Sequence, residues 1–133
     1  MAILNRQWEG AQRALEEALR LMPDEPLVIS VEGVMHAALG QSARALRCMN
    51  RACTNPKSFG HAHHTYYQVA CILSLLDRPD VAFEWLERSV DTGFACWPFF
   101  LHDPALPNLR SQPPFELLVS SLQAKYPHEL GLP

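Results

Sequence analysis

Positive charge is in short supply. Eleven Lys and Arg stand against 14 Asp and Glu, a formal net charge of −3. A nucleic-acid-binding surface needs a basic stripe, so the composition gives no electrostatic case for nucleic acid. Long apolar runs are also missing. A membrane span needs roughly 18 uncharged apolar residues. The least charged run here, 58–76, is full of His, Thr, Tyr and Gln, and no membrane partner is expected. The opening MAILNRQWEGAQRALEE lacks a basic segment followed by an apolar one, so no signal peptide is visible. Cysteine is scarce, at 48, 53, 71 and 96, without CxxC spacing. Cys48 and Cys71 fall on apolar helix faces, where free Cys acts as a small hydrophobe. Four reduced thiols and a cytoplasmic location are expected. There is no GxSxG, no GxxxxGK[ST] and no GxGxxG, hence no nucleophile elbow or phosphate loop. Cys71 and His64 are two helical turns apart, about 10 Å, too far for a nucleophile and its base. The chain reads as a non-enzyme, with no catalytic residue, no cofactor and no metal.

What is present is helical patterning. At 133 residues with 48% apolar content, one domain with a core is expected over 1–133. The stretch YYQVACILSLLDRPDVAFEWLERSV, 66–90, organises the rest. Tyr66, Val69, Ala70, Leu73 and Leu76 make one helical face, and Val81, Ala82, Trp85, Leu86 and Val90 make another. Asp77-Arg78-Pro79-Asp80 splits them, which predicts an αα-hairpin. Upstream, a helix over 5–22 carries the stripe Leu4, Trp8, Ala11, Leu15, Ala18 and Leu19. Pro26 opens a helix over 26–39, whose one charge is Glu32, and Gly40 ends it. A third helix covers 41–54 and stops at Pro56.

These pieces repeat. Ala11, Leu15, Ala18 and Pro23 match Ala45, Met49, Ala52 and Pro56, and then Ala82, Leu86, Ser89 and Gly93. The offsets are 34 and 37 residues. Gly33 precedes Ala45 by 12 residues, as Ala70 precedes Ala82, and Leu39-Gly40 recurs as Leu76-Asp77. A self-match at this period signals a helical solenoid. On these residues the chain resembles the tetratricopeptide repeat family over roughly 8–94. Departures are Ile29 and Tyr66 where the family often has Trp, His36 and Leu73 where it prefers Tyr, Asp77 for Gly and Ser89 for Ala. The resemblance implies an all-α, right-handed α-α superhelix of antiparallel helix pairs. It would comprise a half repeat at 5–22, repeats at 26–56 and 63–93, and capping helices over 94–127. Three extra residues fall in 57–64.

After Gly93 the pattern changes. Two short helical segments are expected, one starting at Asp103-Pro104 as N-cap and first helical residue, the other at Ser111 before Pro113 and Pro114. Phe115, Leu118, Val119 and Leu122 supply the apolar face of the second. Phe94, Trp97, Phe99 and Phe100 read as packing over the open end of the array. This tail looks like the segment that ends tetratricopeptide arrays in some bacterial signalling proteins, including Ser/Thr kinases and nucleotide cyclases. The acidic set Asp77, Asp80, Glu84, Glu87 and Asp91, interrupted by Arg78 and Arg88, reads as a solvated helix face. His61, His63 and His64 form the one cluster suggestive of a metal, but no carboxylate lies near and no standard zinc spacing is present. The bland reading is a polar linker.

The resemblance implies a non-catalytic protein–protein interaction module that holds a peptide or partner helix in a concave groove. The family's groove positions fall on Leu27, Ser30, Val31 and Val34, and on His64, Tyr67, Gln68 and Cys71. None is Lys, Asn or Arg, so a clamp for a C-terminal carboxylate is not expected, and the groove is mainly apolar. The alternatives are a structural or regulatory segment of a larger bacterial signalling protein, and a metal-binding protein using His61, His63 and His64. The 5–22 stripe matches a second helix without its first. Leu4, Trp8, Ala11 and Leu15 are therefore expected to meet a partner, most simply a second copy through a two-fold contact.

Overall fold

A computed structural model describes the backbone of residues 2–54 and 62–127 and the side chains from residue 8 onward. Among the described residues there are eight helices and no strand. They are α1 (Ala2–Leu21), α2 (Pro26–Ala38), α3 (Ser42–Thr54), α4 (Ala62–Leu75), α5 (Pro79–Asp91), α6 (Trp97–His102), α7 (Pro107–Arg110) and α8 (Pro113–Lys125). The chain is all-helical, as its apolar spacing predicts. Proline begins α2, α5, α7 and α8 and stands second in α6. Its fixed φ suits a first turn, whose N–H groups have no intrahelical partner.

The helices are joined by short turns into two hairpins. α2 packs along α3, and α4 along α5. Three-residue connections leave the second helix no course but back along the first. The two hairpins meet chiefly through α2 against α4, with α3 also touching α4, while α1 rests on α2. The helices meet at their small residues. Ala45, Ala52, Ala70 and Ala82 are fully buried. A Cβ at Gly33 would stand 2.7 Å from Ile72 Cδ1 and 3.1 Å from Cys48 Cβ. α2, α3 and α4 therefore approach closely at Gly33, where an added methyl would displace the Ile72 side chain and crowd Cys48. Ser89, in the place of an expected Ala, is also buried, and its hydroxyl donates to the His63 carbonyl at 2.9 Å. That bond offsets the cost of burying the oxygen.

Three helix ends close the same way. Gln41 N–H bonds the His36 carbonyl, Arg78 N–H the Leu73 carbonyl, and Phe94 N–H the Ser89 carbonyl, each across five residues. The residue before each donor has positive φ: Gly40 at 76°, Asp77 at 61° and Gly93 at 129°. This is the glycine-type C-terminal cap, which satisfies carbonyls the helix cannot. Asp77 does a glycine's work with a Cβ, at a conformational cost.

The tail differs from its sequence-based expectation. α6 was not anticipated. Asp103 does not begin a helix; it ends α6, and its Oδ1 accepts from the Ala105 N–H at 2.9 Å. Ser111 likewise ends α7, with its hydroxyl donating to the Asn108 carbonyl, and Gln112 is the N-cap of α8. The Asp-Pro and Ser-x-Pro signals mark turns equally well, and here tertiary contacts decide. Phe115, Val119 and Leu122 bury the α8 face as their spacing predicts, while Leu118 is half-buried.

Asp77→Gly removes the left-handed penalty and stabilises the chain by about 0.5–1 kcal/mol, a rise in Tm of about 2–4 °C. Thermal unfolding of the two proteins checks it; an unchanged or lower Tm contradicts this account of the turn.

Candidate functional site

The expected groove positions separate into two classes. Successive members stand 37 residues apart, pairing Leu27 with His64, Ser30 with Tyr67, Val31 with Gln68 and Val34 with Cys71. Ser30, Tyr67 and Cys71 are buried. Leu27, Val31, Val34, His64 and Gln68 are half-buried. Ser30 turns its hydroxyl onto the Leu27 carbonyl at 2.6 Å. Val34 packs into the core between the hairpins. Tyr67 and Cys71 are covered by the chain's own tail. Ser30, Tyr67 and Cys71, expected to face a ligand, are thus buried within the chain.

Tyr67 is the centre of that cover, with 2% of its surface exposed. Its ring stacks on Phe100 at 5.6 Å and meets Phe94 edge-on at 5.0 Å, with Phe99 at 5.6 Å. Its hydroxyl donates to Asp103 Oδ2, and Cys71 Sγ lies 3.9 Å from the same oxygen. Burial first, then the neighbouring Cys71 and Asp103, pushes the phenol far above its ordinary range, so it remains a donor. Burial, then the charge of Asp103, likewise raises the Cys71 thiol. A protonated, enclosed thiol is a poor nucleophile. Further bonds hold the tail in place. Arg110 Nη1 donates to the Asp103 carbonyl at 2.7 Å, Asn108 Nδ2 to the Ser74 carbonyl at 2.9 Å, and Trp97 Nε1 to the Tyr126 carbonyl at 3.1 Å. Phe99, 51% exposed, brings an aromatic face to the surface.

Of the half-buried members, His64 lies beside this cluster. His64 is 5.3 Å from Phe94, and His63 and His64 are 4.2 Å apart. The two imidazoles are thus part of an aromatic packing group at the start of α4. His61 and the linker residues 57–61 lie outside the described residues. On α1, Trp8 and Leu15 are half-buried and Ala11 is exposed; the Leu4 side chain lies outside the described residues. All four cysteines are free.

One constellation escaped the sequence. Glu32 and His36 on α2 and Cys48 on α3 bring one ligand-type atom each within 4.8 Å of one another. Cys48 Sγ donates to Glu32 Oε1 at 3.3 Å, and His36 Nε2 is 3.9 Å from Glu32 Oε2. Arg44, Arg47 and Arg51 complete the walls of this cleft. The Cys48 thiol is pushed up to about 12 by burial, then by its bond to Glu32 and the charge of that carboxylate, against the pull of Arg51 and Arg47. The available signal was the four-residue step from Glu32 to His36, which places both on one helix face.

No family model matches this chain, and neither a curated protein nor a solved structure matches it. The functional reading therefore rests on the geometry.

If Tyr67 anchors the tail, its truncation is a core defect. Tyr67→Ala is expected to cost about 3–5 kcal/mol. Tyr67→Phe keeps the rings but takes the phenol donor from Asp103 Oδ2, a loss of about 1–3 kcal/mol. Urea unfolding measures both; a Tyr67→Ala cost below about 1 kcal/mol would restore it to a ligand-facing surface.

Proposed function

We propose that this chain is a tetratricopeptide-like α-α superhelix that serves as a non-catalytic interaction module, holding a peptide or partner helix along a mainly apolar strip. The observation that carries this reading is the order of helix contacts: α1 on α2, α2 on both α3 and α4, α3 on α4, and α4 on α5. A first helix that touches its own second helix and the next first helix is what a stack of helix pairs requires. The 37-residue register, the small residues at the crossings and the recurrent caps at Gly40 and Asp77 agree with it. α7 touches both α4 and α5, as a following first helix would, so the tail takes the capping role.

The strip left for a partner is Leu27 and Val31 on α2 with His64 and Gln68 on α4, continued by Phe94 and Phe99. It offers apolar and aromatic contact with few charges. The matching partner is an amphipathic helix or extended peptide with apolar anchors. A carboxylate-terminated tail finds no cationic clamp here. A segment elsewhere in a larger signalling chain has the same chemistry and would serve equally. The second reading, self-association through α1, draws on Leu21 and Met22, exposed large apolar residues beyond Trp8, Ala11 and Leu15. A second copy is the proposed cover for that end.

Val31→Glu combined with Gln68→Glu places two carboxylates on the strip without touching the Tyr67 cluster. Captured from native lysate, a true partner is expected to be retained by the parent chain and weakened at least about 10-fold by the double variant, with helical circular dichroism unchanged. Identical capture by both folded proteins, or capture by neither, would overturn the reading.

A further inference from the structure

We propose that Glu32, His36 and Cys48 form a binding site for a divalent transition-metal ion of the zinc class, with one coordination position open. The site is separate from the peptide strip and independent of that reading. Its three donors are a carboxylate oxygen, an imidazole nitrogen and a sulfur. This set suits zinc and cobalt far better than magnesium or calcium, which take oxygen donors.

The spacing fits an ion. Zinc bonds of about 2.0–2.3 Å in a tetrahedral arrangement put neighbouring ligand atoms about 3.4–3.6 Å apart. The sulfur–carboxylate distance is 3.3 Å and the imidazole–carboxylate distance 3.9 Å. These contacts use the two different oxygens of one carboxylate, Oε1 toward Cys48 and Oε2 toward His36. With one donor atom from each residue the three lie within 4.8 Å of one another, so the side chains close in by about an ångström to meet an ion. The backbone frame is firm. Glu32 and His36 are one turn apart on α2, and Cys48 comes from α3 beside the Gly33 crossing, where helix separation is fixed by close contact.

The histidine is also oriented. His36 Nδ1 is 2.7 Å from Gln41 Oε1. An amide oxygen only accepts, so Nδ1 is the donor of this bond, which leaves Nε2, on the side of Glu32, as the nitrogen that would take an ion. A second hydrogen bond that fixes tautomer and ring plane is the usual companion of a metal-bound histidine. Gln41 sits in the turn after Gly40, so the cap that ends α2 also sets the ligand.

The charges decide what kind of site this is. Arg44, Arg47 and Arg51 line the cleft, and guanidiniums repel a bare cation. On binding, the thiol releases its proton to solvent, and the thiolate and carboxylate together match the two charges of the ion. The neutral centre then sits among cations that favour an anion or a polarised water at the fourth position. An open position of this kind belongs to a reactive or ligand-exchanging site rather than to a closed structural one.

Cobalt(II), added to untagged protein after chelator treatment and desalting, tests this directly. The expected result is one ion per chain, with tetrahedral visible bands and a near-ultraviolet thiolate-to-cobalt charge-transfer band. Cys48→Ala should abolish that band, Cys71→Ala should keep it, and Gln41→Ala should weaken binding by about 10-fold or more. Circular dichroism of each variant establishes that it is folded. A folded parent chain with no charge-transfer band overturns the proposal without reference to any variant. So does a band that survives Cys48→Ala, or one that disappears instead with His63→Ala and His64→Ala.

Discussion

Tyr67 and Asp103 hold the structure's C-terminal half to its middle. A buried phenol is costly unless its hydroxyl is bonded, and a half-buried carboxylate is costly unless donors surround it. Each supplies what the other lacks. The aromatic rings of Phe94, Phe99 and Phe100 gather around Tyr67, and the backbone of the same carboxylate's residue is held by Arg110. Removing Asp103 therefore leaves the buried Tyr67 hydroxyl without its acceptor, and removing the hydroxyl leaves Asp103 with the Ala105 N–H as its backbone donor, so the bond ties the tail to α4.

That coupling sets the shape of the accessible surface. Of the positions that recur every 37 residues, Ser30 is buried with its hydroxyl on the Leu27 carbonyl, and Tyr67 and Cys71 lie beneath the tail. Leu27, Val31, His64 and Gln68 stay half-buried. The same close helix approach at Gly33 that permits α2 to meet α4 also brings Cys48 to Glu32. Tight crossings thus fix both the hairpin packing and the polar cleft.

Much of the helical framework was legible because local signals agree there. Apolar residues at helical spacing, proline at first turns and Gly40 or Asp77 at the ends all point to one arrangement for α2 to α5. The tail was legible only in part. Asp103-Pro104 carries a strong local helix-start signal, yet its carboxylate is recruited by Tyr67 from 36 residues away, and no local pattern encodes that. Six-residue α6 is too short to declare a period. At the expected groove positions, a 37-residue spacing does not encode the direction in which each position faces. Ser30 and Tyr67 differ from Val31 and Gln68 by one residue, about 100° around the helix. The Glu32–His36–Cys48 cluster crosses a turn between helices, so its third member shows no sequence spacing to its first two.

Native-state hydrogen exchange of an Asp103→Ala variant measures how far the tail depends on α4. Amides of α6, α7 and α8 and of the Tyr67–Leu75 half of α4 should lose protection together, because one anchor orders them. Amides of α2 and α3 should keep theirs. Unchanged protection across the tail, or a loss confined to the residues flanking 103, would contradict that dependence.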